Sequence, residues 1–256
     1  MEKIKLILTV LPSDVRAAQR LGLPMAHLSY RLGKGAHLFR SQVTTAVRGG
    51  YMVIDDTEFE GQGDSSAFCK EVLMECSSRG FQGVVADFQQ SPTPFLGEIV
   101  SALAGLLTRR GWPLFVPESY GSFSDQATVM ISSAISGGSF SQRMQEVIAQ
   151  YGASRVALEV ERVAADFFLP APSGGGRPLS EEELSALKKQ LSPSIFFSNE
   201  LCSHYFTYMD RESGAHFVLF DDGASMGKKI QIASSLGIQT AFLDYPDAKD
   251  WVGELK

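Results

Sequence analysis

The sequence has few of the features that mark a secreted, membrane-bound or metal-dependent protein. Its 256 residues include three cysteines, Cys69, Cys76 and Cys202, and none lies in a spacing typical of a metal site. No apolar run approaches the ~18 residues that a membrane-spanning helix needs. The short apolar run near the N-terminus is not followed by a cleavage site, so we expect no secretory signal. These absences predict a cytoplasmic protein with reduced, buried thiols.

The sequence also lacks the marks of a nucleic-acid or nucleotide partner. A net charge of −6 and a pI near 5.3 do not favour binding to nucleic acid or to an anionic membrane. No G-x-G-x-x-G follows the first apolar run, and the glycines of 137–140 and 173–176 lack phosphate-loop spacing. We therefore predict no cofactor and no metal, while the oligomeric state stays open. No ligand or triad spacing relates the four histidines, which we interpret as structural or surface residues: His27, His37, His204 and His216.

What the sequence does contain is a regular alternation of apolar, β-branched runs with segments of helical period. The runs predict eight strands, at residues 3–11, 25–30, 51–56, 83–88, 113–118, 128–135, 155–163 and 240–245. The intervening segments predict helices, at residues 13–22, 37–50, 64–80, 93–111, 139–152, 180–191 and 225–237. This alternation favours the α/β class, with a single (β/α)8 TIM-type barrel domain spanning residues 1–256. A doubly wound open sheet is the alternative.

The last third of the chain interrupts the alternation. Residues 170–179 are rich in glycine and proline and predict a loop, and the next helix opens with a capping box of Ser180 and Glu183. Two alternating apolar runs at residues 204–222 surround a polar turn, which predicts a β-hairpin inserted before the last helix and strand. We interpret Asp221 and Asp222, at the end of this hairpin, as a turn and a helix cap.

Polar side chains collect where the predicted strands end. In a barrel of this kind, functional residues lie at the C-terminal ends of the strands. Alternate strand residues share a face, so Asp87 should point the same way as Gln89, and Glu159 the same way as Glu161. Carboxylates, hydroxyls and tyrosines in a ring suit a polyol such as a sugar, although each one alone could be a cap or a salt-bridge partner. The candidates are Asp55, Asp56, Asp87, Gln89, Glu118, Tyr120, Ser132, Ser133, Glu159, Glu161, Asp244 and Tyr245.

The segment FQGVVADFQQSP, residues 81–92, resembles the fourth strand of glycoside hydrolase family 18, the chitinase-like barrels. That strand typically reads phenylalanine, aspartate, glycine, then aspartate, a hydrophobic residue, aspartate, an aromatic residue and glutamate. Gly83 matches the glycine, Asp87 the last aspartate and Phe88 the aromatic residue, while Gln89 stands at the glutamate. Residues 204–245 are similar to the C-terminal part of the family, especially of its spore-germination and cortex-lytic members.

The resemblance implies a substrate-assisted reaction, in which the N-acetyl carbonyl of the substrate attacks the anomeric carbon. The resemblance gives Asp87 the role of orienting that amide. It gives Gln89 the position of the general acid, where an amide has no acidic proton to donate. The sequence also departs from the family at Val85, which replaces an aspartate, at Ser132 and Ser133, near an expected tyrosine, and at Leu243 or Asp244, at an expected tryptophan.

Three hypotheses follow from these residues. In the first, the barrel binds an N-acetylated glycan of chitin or peptidoglycan type but is catalytically impaired or inactive, with a substrate-binding set of Asp55, Asp56, Tyr120, Ser133, Glu161, Asp244 and Tyr245. In the second, it is an active glycosidase whose acid has moved to Glu118, Glu159 or Glu161. Carboxylates ~5 Å apart would then predict retention of configuration, and ~6.5–9.5 Å inversion. In the third, the barrel is a non-catalytic scaffold or a partner-binding barrel.

Overall fold

A computed structural model of the chain describes residues 3–41, 48–170, 175–211 and 214–255. Its strands are β1 (Lys5–Val10), β2 (Met25–Gly33), β3 (His37–Arg40), β4 (Tyr51–Asp55), β5 (Val84–Asp87), β6 (Leu114–Pro117), β7 (Thr128–Ser132), β8 (Val156–Val160), β9 (Ala164–Leu169), β10 (Arg177–Pro178), β11 (Phe196–Ser198), β12 (Ser203–Asp210), β13 (Gly214–Phe220) and β14 (Thr240–Asp244). Its α-helices are α1 (Val15–Ala18), α2 (Ser65–Arg79), α3 (Pro94–Thr108), α4 (Phe140–Tyr151), α5 (Glu181–Leu191), α6 (Gly223–Ser235) and α7 (Tyr245–Ala248). Short 3-10 helices cover Gln19–Leu21, Lys34–Ala36, Glu118–Tyr120, Ala153–Arg155 and Val252–Leu255.

Eight parallel strands close into a barrel in the order β1-β2-β4-β5-β6-β7-β8-β14, with β14 paired back to β1. Each barrel strand falls within or overlaps one of the eight predicted apolar runs, so the predicted TIM-type barrel is confirmed. Alternate residues of these strands fill the interior with apolar side chains, as the period of two requires. The interior residues are Ile7, Ala26, Tyr51, Val53, Val85, Phe115, Met130, Ala157 and Phe242.

The helices that cover the barrel begin at capping residues that the sequence supplies. Asp64 accepts a hydrogen bond from the backbone N–H of Ala67 at the start of α2, and Thr93 accepts one from Leu96 at the start of α3. Pro94 occupies the first turn of α3, where its missing N–H costs no hydrogen bond. Both helices pack a buried apolar stripe against the outside of strands β4 to β6, at roughly 1.5–3 kcal/mol for each large side chain buried.

Close packing at the start of β5 explains the glycine in the family-like segment. A Cβ on Gly83 would lie 2.8 Å from the carbonyl oxygen of Pro113 and 2.9 Å from Cδ1 of Tyr51. The carbonyl of Pro113 accepts the N–H of Val84 as β5 pairs with β6, so it cannot retreat without losing that bond. Glycine is therefore required here by space and not by backbone angle.

The prediction of a helix over residues 37–50 is wrong where the structure describes it, because His37–Arg40 forms the strand β3. This strand pairs antiparallel with the long strand β2, with Leu38 opposite Leu32. The side chain of Leu38 packs on the core beneath α2, and its backbone N–H donates to Glu71 of that helix. Pairing with the preceding strand overrides the local helical pattern. Residues 42–47 lie outside the described part of the chain.

The predicted hairpin is confirmed as β12 and β13, but it belongs to a larger insertion. A five-stranded antiparallel sheet of order β10-β9-β13-β12-β11 lies between β8 and α6. Helix α5 packs on one face of this sheet through Leu184, Phe206 and Val218, and it opens with the predicted capping box of Ser180 and Glu183. The predicted loop at residues 170–179 holds the two-residue strand β10, while residues 171–174 lie outside the described part.

Cys69, Cys76 and Cys202 are free and buried, as predicted. Burial raises the pKa of the Cys69 thiol to about 11 and that of Cys76 to about 12, so neither is a ready nucleophile at neutral pH. Across the described residues, we find no helix with the length and apolar character needed to cross a membrane.

Candidate functional site

Four carboxylates reach the C-terminal mouth of the barrel from four of its strands. Each stands two residues after an interior side chain of the same strand, so it faces the same way, into the mouth. Strand pairing places Asp55 beside Asp87, and Ser132 beside Glu159. Asp244 ends β14, which lies next to β8. The four carboxylates are Asp55, Asp87, Glu159 and Asp244.

The mouth carboxylates lie near enough to one another to shift their protonation. Burial, together with the smaller effect of the neighbouring charges of Glu161, Asp87 and Asp244, raises the pKa of Glu159 to about 8. Burial likewise raises the pKa of Asp244 to about 6, although this side chain lies exposed at the rim. The pKa of Asp87 is also raised, chiefly by burial. A pKa near 8 keeps Glu159 protonated at neutral pH.

Asp87 and Gln89 form a direct contact at this mouth. The side-chain amide of Gln89 donates a hydrogen bond from Nε2 to Oδ1 of Asp87 over 2.6 Å. This bond opposes the effect of burial on the pKa of Asp87, because it favours the charged carboxylate. Gln89 itself is exposed. The structure thus brings together the two residues that strand alternation placed on one face, and leaves the amide accessible to a ligand.

The loop that carries Gln89 is fixed by hydrogen bonds to Asp56, a residue with no exposed surface. Oδ1 of Asp56 accepts the backbone N–H of Gln89 at 2.7 Å and that of Gln90 at 3.3 Å. The side chain of Gln90 donates back to the carbonyl of Asp56 at 2.6 Å, and Tyr120 donates its hydroxyl to the carbonyl of Gln90 at 2.8 Å. Asp56 and the fully buried Tyr120 therefore fix the loop and present no surface to a ligand. The sequence analysis did not predict the role of Gln90 in holding this loop. Its signal in the sequence is a second glutamine directly after Gln89, where the chain leaves β5 and turns toward α3.

Glu118 and Tyr245 are engaged elsewhere in the structure. Both carboxylate oxygens of Glu118 accept hydrogen bonds from Arg143 of α4, so this residue is one half of an ion pair. Tyr245 opens α7 and packs on the apolar cluster outside the barrel. Neither arrangement supplies a free group to the mouth.

Glu161 lies just beyond β8 and is exposed. Its carboxylate accepts a hydrogen bond from Ser132, and its backbone N–H donates to the buried hydroxyl of Ser133 at 3.1 Å. The two serines therefore hold Glu161 near Glu159, as the effect of Glu161 on the pKa of Glu159 also shows. In the described residues no group of three or more metal-binding side chains is arranged to hold an ion.

A row of aromatic rings crosses the second sheet on the face turned away from α5. Phe196 stacks on Tyr205 with ring centroids 5.6 Å apart, and Tyr205 stacks on Phe217 at 5.3 Å. Phe217 packs with Phe167, and Ile135, which follows β7, packs against the same apolar cluster of the insertion. The insertion therefore stands against the mouth and offers aromatic edges, of which Phe196 is 52% exposed.

No protein-family model matches this chain, and no curated protein matches it. Solved structures do. A chitinase from Chromobacterium violaceum superposes with a TM-score of 0.73 at 14% identity, over 98% of this chain and 97% of that one. The spore cortex-lytic enzyme SleL of Bacillus megaterium gives 0.69 at 14% identity, over 99% and 74%. A double mutant of a family 18 chitinase from Cycas revoluta, in complex with (GlcNAc)4, gives 0.63 at 14% identity, over 98% of each chain. The chain therefore has a barrel fold similar to that of these family 18 and cortex-lytic enzymes.

Within this barrel, the candidate residues fall into two sets. One set faces the mouth and consists of Asp55, Asp87, Gln89, Ser132, Glu159, Glu161 and Asp244. The other set lies behind it and supports loops or packs in a core: Asp56, Glu118, Tyr120, Ser133 and Tyr245. A strand-end position in sequence does not separate the two sets, because both follow barrel strands.

Proposed function

We propose that the barrel mouth binds an N-acetylated glycan of chitin or peptidoglycan type, and that hydrolysis by the substrate-assisted route is impaired or lost. The hydrogen bond from Gln89 to Asp87 is the observation that carries this proposal. A glutamic acid at this position could donate to Asp87 only while it held its proton. The glutamine makes the same contact at every pH and has no acidic proton for the leaving oxygen. A positioned general acid contributes about 10²–10⁴-fold to a rate, so its loss would leave binding with little turnover.

A neighbour of the same fold supports the binding half of the proposal. The Cycas revoluta chitinase in complex with (GlcNAc)4 carries two substitutions, one of which exchanges a glutamate for a glutamine. In that protein an amide in place of a carboxyl is compatible with holding a tetramer of N-acetylglucosamine. We propose that Gln89 is likewise compatible with a bound N-acetylated glycan here, and that Asp87 orients an acetamido group of that glycan.

The test measures binding and hydrolysis separately. We expect the wild type to bind tetra-N-acetylchitotetraose by calorimetry and to release no detectable product. We expect Asp87→Ala to weaken binding by about tenfold, the size of one lost charge-assisted hydrogen bond. Gln89→Glu should keep the affinity and gain measurable hydrolysis.

The matched control is Gln82→Glu. It makes the same chemical change at an exposed residue before the opposite end of β5, and it should alter neither binding nor hydrolysis. Wild-type turnover that Asp87→Ala abolishes would refute the loss of hydrolysis. No binding by wild type to chitin or peptidoglycan fragments would refute the glycan site.

A second function is favoured by one observation, the raised pKa of Glu159. A carboxyl that titrates near 8 is protonated at neutral pH, as a general acid must be. Glu159 faces the mouth across from Asp87, whereas Glu118, another of the three relocated candidates, is bound by Arg143. If the protein is an active glycosidase, Glu159→Gln should abolish turnover and Gln89→Ala should not. NMR of the first-formed anomer would then decide between retention and inversion.

A further inference from the structure

Gln90 is joined to two neighbouring loops by hydrogen bonds from three of its groups. Its side-chain Nε2 donates to the backbone carbonyl of Asp56 at 2.6 Å and to that of Phe59 at 3.0 Å, in the loop after β4. Its backbone N–H donates to the carboxylate of Asp56 at 3.3 Å, and its carbonyl accepts the hydroxyl of Tyr120, which follows β6, at 2.8 Å. We call Gln90 with Asp56, Phe59 and Tyr120 the Gln90 network. It connects the loops that follow β4, β5 and β6.

The contacts of the Gln90 side chain fit an amide and not a carboxylate. Two backbone carbonyls face its Nε2, and a carbonyl oxygen can only accept a hydrogen bond. A glutamate at this position would set a negative charge against both oxygens and close to Asp56, which is itself buried. Gln90→Glu therefore keeps the size of the side chain and breaks the network.

The same network determines the direction of the residue before it. The backbone N–H of Gln89 donates to Oδ1 of Asp56 at 2.7 Å. Phe88 is buried, with its ring centroid 5.5 Å from that of Tyr120. Because Phe88 points inward, the exposed side chain of Gln89 faces the mouth, where its Nε2 reaches Oδ1 of Asp87 at 2.6 Å. That contact therefore depends on Asp56 and Tyr120, which present no surface to a ligand.

We propose that Gln90 is a positioning residue of the mouth, which acts through Asp56 and Tyr120 to hold residue 89 against Asp87, where a bound glycan meets both side chains. This inference rests on the proposed function for its ligand, whereas the position of residue 89 can be tested without one. A merely structural role predicts that loss of the network lowers the free energy of unfolding and leaves the contact between residues 89 and 87 intact. A positioning role predicts that this contact is lost in a protein that still folds.

The first experiment follows the side-chain amide of Gln89 by heteronuclear NMR without ligand. In wild type we expect its resonances to shift when Asp87 takes up a proton, because one N–H donates to that carboxylate. In Gln90→Glu and in Gln90→Ala we expect this shift to be lost and the resonances to approach those of the exposed Gln82. Gln90→Ala removes the two donors without adding a charge, so it decides the test if Gln90→Glu does not fold.

The second experiment measures what the position of residue 89 contributes to ligand binding and catalysis. Calorimetry with tetra-N-acetylchitotetraose should show an affinity about threefold lower in Gln90→Ala than in wild type, a smaller loss than in Asp87→Ala because the carboxylate remains. In the Gln89→Glu background, Gln90→Ala should lower kcat by about 10²-fold, since a displacement of about 1 Å reduces a rate by that factor. KM should rise no more than the affinity falls.

The matched control is again Gln82→Glu. It makes the chemical change of Gln90→Glu at an exposed residue before β5 and should leave the resonances of Gln89 and the affinity at their wild-type values. Unchanged Gln89 resonances in folded Gln90→Ala would overturn the proposal, and so would a displaced Gln89 side chain with wild-type affinity. Failure of the wild type to bind N-acetylated fragments would instead refute the proposed function, and the NMR result would still decide what holds residue 89.

Discussion

The buried carboxylate of Asp221 and the carboxylates of the barrel mouth differ in how their negative charge is compensated. Asp221, at the end of β13, is 1% exposed and fully satisfied. Its Oδ1 accepts the hydroxyls of Ser203 and Ser225 at 2.8 Å, and its Oδ2 accepts the N–H of Val163 at 3.0 Å and the ammonium of Lys229 at 2.7 Å. This carboxylate ties β8, the second sheet and α6 to one point.

The mouth carboxylates have like charges for neighbours instead. Glu159 titrates near 8 because burial and the charges of Glu161, Asp87 and Asp244 all oppose its ionisation. Such an arrangement costs folding free energy above the pKa of Glu159, whereas Asp221 is compensated by a cation. This difference shows that the fold does not depend on a charged form of the mouth carboxylates. Such a pattern is expected where a ligand supplies the hydrogen-bond or charge partner that the protein does not.

The largest effect in this comparison should come from breaking the Asp221–Lys229 pair. Asp221→Ala leaves the ammonium of Lys229, which is 0% exposed, without its carboxylate. Loss of one partner of a buried pair costs about 3–5 kcal/mol, and urea unfolding measures it. The double variant Asp221→Ala/Lys229→Met should recover a large part of that loss because the orphaned charge is removed. A loss below about 1 kcal/mol in the single variant would contradict the role of the pair.

The ionisation of Glu159 should have a smaller effect on stability. It should appear as a free energy of unfolding that depends on pH. Its pKa in the folded protein, about 8, lies above its ordinary value of 4.5. Below 4.5 both states hold the proton; between 4.5 and 8 the folded state keeps it and the unfolded state loses it. The free energy of unfolding therefore falls as the pH rises through this window. Screening by solvent reduces the effect to about 1–3 kcal/mol.

Glu159→Gln should flatten this dependence when urea unfolding is measured at several pH values between about 5 and 9. Part of the slope will survive, because the pKa values of Asp87 and Asp244 are raised as well. Glu146→Gln, on the exposed face of α4, should retain the wild-type slope. Equal slopes in wild type and Glu159→Gln would show that Glu159 is not held protonated in the folded state.

The barrel could be predicted from sequence because its strands carry their own signal. Each is a short and largely apolar run, and caps such as Ser180 and Asp64 mark where helices begin. The strand β9 carries no comparable signal. It is fixed by pairing with β13, where Leu169 lies opposite Ala215, and a partner this distant along the chain leaves no local pattern.

Only part of the candidate site was predictable from the sequence. Alternation placed Asp87 and Gln89 on one face, and the structure joins them by a hydrogen bond. The buried role of Asp56 was not predictable, since it depends on a loop folding back from 33 residues away. The same holds for Asp221, interpreted from sequence as part of a turn; its neighbour Asp222 does cap α6 as predicted. Strand-end position is local information, whereas burial depends on the whole fold.

The smallest effect should come from an ion pair with full access to water. Arg177 lies 2.8 Å from Glu183, but the two side chains are 60% and 48% exposed. Arg177→Ala should therefore cost less than about 1 kcal/mol in urea unfolding, and about 1 M salt should erase most of that cost by screening. Ser180→Ala, which removes the cap of the same helix, should cost about 1 kcal/mol whatever the salt, because its hydrogen bond to the N–H of Glu183 is uncharged. If Arg177→Ala cost as much as Asp221→Ala, burial would not be what separates the two ion pairs, and the contrast between Asp221 and the mouth would lose its basis.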